Sequence, residues 1–219
     1  MDWEWVFTHL DDLAYLTWQH IVLVAIPLAV GFVISLGLAV WAVRRPVVYG
    51  PITAVTGILY TIPSLAAFAL LLPIFSFSML TALIPLTTYT LLILFRNMVA
   101  GLESVPRDVL EAADGMGYES HQRLLHVEMP LAVPLMVAGL RLAAVTLIGL
   151  ATVVSILGSS FGGLGLLITE GLQTFFPTKY LLGAALAVLL AFAADLLFVR
   201  LERVVTPWAR VRAEAAVGS

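Results

Sequence analysis

From Pro46 to Phe95 the chain runs for 50 residues without an Asp, Glu, Lys, Arg or His. A water-facing fold needs charge at shorter intervals than that to cover its surface. A helix crosses about 30 Å of hydrocarbon in roughly 20 residues, so the stretch is too long for one crossing and right for two. The short polar sequence Ser76-Phe77-Ser78 is the natural hairpin between them. Composition agrees, with 61% hydrophobic residues against 11% charged and a mean hydropathy of +1.04. These values argue against soluble single-domain enzymes and disordered regulators. They argue against nucleic-acid binders too, because 11 Lys+Arg against 14 Asp+Glu leave a net charge of -3. The absence of cysteine removes disulfides, thiolate zinc sites and cysteine nucleophiles together.

The same rule applied along the chain predicts an all-α integral membrane protein, one domain over residues 1–219. Its five transmembrane helices lie near 21–43, 52–74, 80–99, 133–157 and 180–199. Glycines from Gly158 to Gly165 end the fourth span, leaving 158–179 as an extracytoplasmic or re-entrant segment. Short cytoplasmic loops accumulate Lys and Arg. With the N-terminus outside and the C-terminus cytoplasmic, ten of the eleven basic residues fall in or near cytoplasmic segments, and only Lys179 is outside. The acidic start, with Asp2, Glu4, Asp11 and Asp12 and no basic n-region, fits that orientation and not a cleavable signal peptide. Trp3, Trp5, Tyr15 and Trp18 mark residues 2–18 as a helix lying at the outer interface. The alanine-rich end, Ala213 to Ser219, reads as disordered.

Pro27, Pro63, Pro73 and Pro85 fall inside predicted spans, and each frees a carbonyl that a neighbour or water must satisfy. They serve either as packing kinks or as the wall of a translocation path. The residues for such a path are Tyr60, Thr61, Ser64, Thr87, Thr88 and Tyr89, polar groups on otherwise apolar helices. Asp195 in the fifth span is costly in hydrocarbon and is read as structural, snorkelling or pairing with an arginine on a neighbouring helix rather than relaying protons.

The one long polar stretch is the loop at 101–132, predicted to be cytoplasmic. Ser104 is a candidate cap and Pro106 suits a first helical turn, Asp108 and Glu111 favour the N-terminal end, and Gly115 with Gly117 stops the helix. A second helix is expected from a Ser120 cap to Glu128, ended by Pro130. Glu111 is read either as a solvated residue paired with Arg107 or as a contact for a partner protein.

Within this loop Glu111-Ala112-Ala113, three residues, Gly117, nine residues, then Val127-Glu128-Met129-Pro130 resembles the EAA loop of bacterial ABC importer permeases, written EAA-x3-G-x9-I-x-L-P. Val127 for Ile and Met129 for Leu are volume-conserving departures. The segments YTIPSLAAFALLLP, LFRNMVAGLESVPRDVLEAADGMG and SILGSSFGGLGLLITEGL together resemble permeases of osmoprotectant importers, which carry glycine betaine, carnitine or choline. Methionine importer permeases share five spans and a related GGLG segment and are the nearest alternative. The resemblance implies an ABC importer type I permease fold in the bacterial plasma membrane. It also implies a second permease subunit, identical or related, two cytoplasmic ATPase subunits and an extracytoplasmic solute-binding protein, with Glu111, Ala112, Ala113, Gly117 and Pro130 as the ATPase-coupling residues. Under that reading the 158–179 segment is either an outer gate and docking surface or a connecting loop.

No nucleotide site is expected in this chain. A P-loop needs a lysine after a glycine loop, and the only lysine, Lys179, follows Phe-Pro-Thr. ATP and magnesium therefore belong to the partner ATPase, and the chain itself is not an enzyme. His121 and His126, five apart, do not form a helical zinc pair. An intramembrane protease lacks its motifs here, and a secondary carrier has only Asp195 in its favour.

Overall fold

The structure, a computed structural model, describes residues 1–207, and every regular element among them is a helix. The expected disordered tail at Ala213–Ser219, with Arg210 and Arg212, lies outside the described residues. In chain order the helices are α1 (Trp3–Thr8), α2 (Leu10–Arg44), α3 (Tyr49–Thr61), α4 (Ser64–Phe75), α5 (Met79–Glu103), α6 (Arg107–Gly115), α7 (Ser120–Arg123), α8 (Met129–Val154), α9 (Leu164–Gln173) and α10 (Pro177–Val205). A π-helical turn, Leu124–Glu128, joins α7 to α8 without a break. Four helical stretches among the described residues are long and apolar enough to cross a membrane: Leu10–Arg44, Met79–Glu103, Ser120–Leu157 and Pro177–Val205. A fifth crossing exists only if Pro46–Thr61 and Ser64–Phe75, bent by 90°, count as one.

That bend is the first departure from the sequence expectation, which gave the second span as one helix over 52–74. Pro63 bars the residue before it from the α region. Ile62 accordingly sits at φ -63°, ψ 126°, and α3 ends at Thr61. The other interior prolines are absorbed: Pro27, Pro73 and Pro85 lie within continuous helices. The second departure is at the start. Only Trp3–Thr8 forms a separate helix, capped by the Asp2 carboxylate, which accepts from the Trp5 N–H at 3.0 Å. Between Leu10 and the expected start of the first span at residue 21 no breaker intervenes, so residues expected at the interface extend that span as one 35-residue helix.

The core is built by α2, α5 and α8, with α4 closing one end. Leu23, Phe68, Leu86, Leu147 and Val154 pack in one apolar cluster, and Ala39, Leu94, Phe95, Met98 and Met136 in a second. Lipid tails are as apolar as leucine, so association of these helices relies on close packing and small residues. Gly139 on α8 shows the need: a Cβ there would stand 2.6 Å from the Asn97 Cβ on α5. Helix α10 is peripheral, with Val188, Leu189, Phe192, Leu197 and Val204 on its open side.

At the end of the bundle away from the long loop, α8 runs out through two short 3-10 turns, Ser155–Leu157 and Ser159–Phe161, before α9. The corner between them and α9 is held by α2. The Gln19 side-chain oxygen accepts from the Gly163 N–H at 3.2 Å, and His20 Nδ1 accepts from the Leu164 N–H at 3.3 Å. With Nδ1 accepting, the ring proton is on Nε2, which donates to the Ile148 carbonyl at 3.1 Å. Gly162 and Gly163 have φ of +64° and +76°, and a Cβ on Gly162 would collide with the Gln19 amide. These glycines therefore do more than permit a tight turn: they let two α2 side chains cap the start of α9.

Candidate functional site

The loop at the other end forms an elbow. Helix α6 begins after Pro106, which stands at the cap position in an extended conformation and makes no side-chain capping bond. Ser104 does not cap this helix; it closes α5 instead, its hydroxyl donating to the Gly101 carbonyl at 2.7 Å. At the C-terminal end the N–H groups of Met116, Gly117 and Tyr118 donate to the carbonyls of Ala112, Asp114 and Ala113 at 3.0, 3.0 and 3.1 Å. This closure needs a left-handed residue, and Gly117 supplies it at φ +84°. The second arm is capped by Glu119 rather than Ser120. Glu119 accepts from the backbone of Gln122, and its own N–H donates to Gln122 Oε1 at 3.0 Å.

Pro130 does not end the second arm. It is the second residue of α8 and the helix runs through it, the π turn just before it widening the helix where the proline ring would otherwise crowd a carbonyl. The arm and the membrane-spanning helix are therefore one continuous rod, Ser120–Leu157. Arg44, the last residue of α2, braces it by donating from Nη2 to the Ser120 carbonyl at 2.8 Å.

The candidate coupling residues divide by exposure. Ala113 is 1% exposed and packs inward, whereas Glu111 and Ala112 face out. Among the described residues Glu111 makes no ion pair within 4 Å, so the Arg107 pairing considered from sequence is not formed. Met116 and Leu125 are more than half exposed, and an open groove of about 330 Å³ lies among Met116, Gly117, Tyr118, Gln122 and His126.

Sequence reasoning missed the residue that ties this elbow together. Arg123 Nη1 donates to both oxygens of Asp114 at 2.7 and 2.6 Å, and its Nε donates to Glu128 Oε1 at 2.9 Å. These bonds, to Glu128 first and then Asp114, raise the Arg123 pKa above the ordinary arginine value. Glu128 is buried, 4% exposed, and Arg123 is its ion partner. An i, i+5 charge pair is not a helical signal, which is why nothing in the sequence pointed to it.

The candidate path residues gather around the break between α3 and α4. Tyr60 and Tyr89 meet edge to face with centroids 5.9 Å apart, and the Tyr89 hydroxyl donates to the Ile62 carbonyl at 2.5 Å. That carbonyl is one that the broken helix leaves open, so the Tyr89 hydroxyl is committed to the backbone. Thr61 and Thr88 likewise donate to carbonyls of their own helices, Ile58 at 2.7 Å and Pro85 at 2.8 Å. Ser64 is the first residue of α4. The structure thus brings Tyr60, Tyr89 and the Thr61–Ser64 break together, while the Thr88 hydroxyl turns to its own turn of helix.

Asp195 pairs as expected with an arginine on a neighbouring helix. Arg141 of α8 reaches it in a two-pronged ion pair, Nε to Oδ1 and Nη2 to Oδ2, the latter 2.9 Å. Among the described residues no group of His, Asp and Glu is placed to hold a metal ion.

Comparison with known proteins places this geometry. Residues 31–207 match the family described as binding-protein-dependent transport system inner membrane component. The chain is similar to the osmoprotectant import permease protein OsmW of Salmonella typhimurium, 37% identical over 200 residues that cover 89% of this chain and 92% of that protein. It is similar also to the glycine betaine/carnitine/choline transport system permease protein OpuCB of Bacillus subtilis, 33% identical over 201 residues, covering 91% of each. Among solved structures a chain of the inward-facing MetNI methionine ABC transporter superposes with a TM-score of 0.77 at 25% identity, covering 89% of this chain and 96% of that one. A match of this extent, over an all-helical chain with four to five candidate spans, makes the protein a member of the family of binding-protein-dependent transport system inner membrane components.

Proposed function

We propose that this chain is the permease of an ATP-driven importer for osmoprotectants, quaternary ammonium solutes of the glycine betaine, carnitine and choline class. The observation that carries the reading is similarity along nearly the whole chain, at 33–37% identity, to permeases named for that class. A methionine importer is the second reading, favoured by the fold likeness to MetNI, but that likeness comes at 25% identity.

In this reading the N-terminus and α9 face outward, the elbow of residues 101–132 is cytoplasmic, and two permease subunits, identical or related, combine with two ATPase subunits and an extracytoplasmic binding protein. Glu111 and Ala112 meet the ATPase, Ala113 seats the elbow, Gly117 makes its turn, and Pro130 lies within the rod that carries motion into the membrane. The exposed side of α6 suits that contact: small side chains allow close approach and an unpaired carboxylate suits a basic partner. Tyr60, Thr61, Ser64, Thr88 and Tyr89 line or support the solute path at the broken span. Nucleotide binding to the ATPase pair favours one of two permease conformations, and solute crosses by alternating access.

The test is hydrolysis by the reconstituted complex of this permease, its ATPase and its binding protein, with the binding protein offered glycine betaine, carnitine, choline or methionine in turn. Stimulation by the quaternary ammonium solutes and none by methionine is expected. Stimulation by methionine alone would reverse the choice, and uptake that persists with a catalytically dead ATPase would replace both readings with a secondary carrier.

A further inference from the structure

We propose that Arg123 is a positioning residue for energy coupling: its bracket across Asp114 and Glu128 locks α6 to the α8 rod, so that a push on the elbow moves the membrane helix instead of being lost at the joint. The proposal rests on the reading of 101–132 as the coupling loop.

The joint between the two arms is four residues, Met116–Glu119, with Gly117 in the left-handed region. A glycine joint has more backbone freedom than any other, and by itself would hinge. Rigidity must come from side chains that bridge it. Of the ion pairs on the elbow among the described residues, His121 with Glu119 stays within the second arm, and only Arg123 crosses from the second arm to the first. It does so with a guanidinium fork, one nitrogen on both oxygens of the α6 carboxylate and another on the buried carboxylate at the foot of α8. A planar fork can hold two carboxylates in fixed relative positions, whereas an ammonium is a point charge on a flexible stem.

The π turn is part of the device. In an α-helix each residue advances about 100°, so side chains five apart point in directions about 140° different and do not pair. A π turn closes i to i+5 bonds and turns each residue less, which stacks residues 123 and 128 on one side of the rod. The Arg123–Glu128 pair is therefore specific to the π register. Were the segment to relax to α geometry, Glu128 would swing away, Arg123 would lose its inner anchor, and α6 would be tied only to a free side chain. Pro130 two residues on, which cannot donate into the preceding turn, disfavours that relaxation.

The experiment measures ATP hydrolysed per solute imported by the reconstituted complex, with complex assembly assayed in parallel. Asp114→Asn acts on an exposed carboxylate and Arg123→Ala on the hub; each is expected to raise the ratio about tenfold, within the span of typical coupling free energies. The double variant is expected to be no worse than Arg123→Ala alone, because both remove one bracket, and Arg123→Lys should not restore the wild-type ratio. Should Arg123→Ala fail to assemble, Asp114→Asn and Glu128→Gln carry the test, since both keep side-chain volume. Wild-type ratios in these variants, or effects that add independently, would overturn the bracket. Glu111→Lys in the same preparation separates the two levels of the argument. Uncoupling by Glu111→Lys with wild-type ratios in the bracket variants removes the bracket alone; wild-type coupling in Glu111→Lys removes the coupling-loop reading itself.

Discussion

Replacing His20 tests how α9 is held to the bundle, because the ring has no exposed surface and stands among three helices. Its two bonds are unequal. The Ile148 carbonyl lies inside α8 and already accepts from its own helix, so removing the imidazole leaves it paired. The Leu164 N–H is at the first residue of α9, where no intrahelical carbonyl can reach it. His20→Ala therefore leaves one buried donor without a partner, a cost of about 1–3 kcal/mol. The loss is confined to the start of α9, so it is expected as easier local opening, with amides of residues 162–166 exchanging roughly 5- to 150-fold faster at about 1.4 kcal/mol per tenfold. Hydrogen exchange of the chain in lipid nanodiscs, comparing peptides from 158–173 with peptides from α5, reads this directly. His20→Phe fills the space without an acceptor and should accelerate exchange too, whereas His20→Gln, which keeps an acceptor, should recover part of the protection. If Ala and Phe variants exchange at the wild-type rate in 162–166, or if α5 accelerates equally, the bond to Leu164 does not hold the corner and the reasoning fails.

Three further outcomes follow from the same geometry. Gly117→Val places a β-branched residue at φ +84°, a penalty of about 1–2 kcal/mol, and is expected to insert in the membrane yet raise the ATP used per solute imported in the reconstituted complex. Asp195→Leu strips Arg141 of its partner and should lower the yield of inserted protein, while Arg141→Met combined with Asp195→Leu should restore it, as apolar replacements of a complete pair do; quantitative blotting of membrane fractions distinguishes the two. Tyr89→Phe removes the donor to the Ile62 carbonyl, a loss of about 0.5–1.5 kcal/mol, and should speed exchange of the amides just beyond the break while slowing uptake; unchanged values in both would show that the hydroxyl does not brace the bend.

What the sequence disclosed and what it concealed divide along one line. Hydrophobic runs pointed to an all-helical chain with four to five candidate spans because hydrocarbon tolerates little else, and the elbow was visible because Gly115, Gly117 and the Glu111-Ala112-Ala113 spacing are local signals. The proline rule marked Pro63 as a perturbation but could not say whether the helix would continue, as it does through Pro27, or break, as it does after Thr61. That outcome depends on whether a side chain from elsewhere, here Tyr89, satisfies the opened backbone. The Ser120 cap was assigned to the wrong neighbour because Glu119 with Gln122 forms an equally local box. Arg123, Gln19 and His20 left no trace, since their partners lie at separations set by tertiary packing or by a π turn that no periodicity announces.

Three interruptions of the helical bundle are each held by named side chains. At Ile62–Pro63, at Gly162–Leu164 and at the π turn before Pro130, the backbone departs from regular α geometry, which a bilayer or its boundary penalises unless each freed group finds a partner. In the first two cases the partner comes from a different helix: the Tyr89 hydroxyl from α5, and the Gln19 amide and His20 ring from α2. In the third a carboxylate buried by the rod is neutralised by the arginine that also grips the elbow. A straight helix needs no such help, so its neighbours contribute packing alone. Irregular backbone held by one or two named side chains depends on each of them singly, whereas the close-packed core of α2, α5 and α8 spreads its cohesion over many apolar contacts, so a single substitution acts most sharply at the joints.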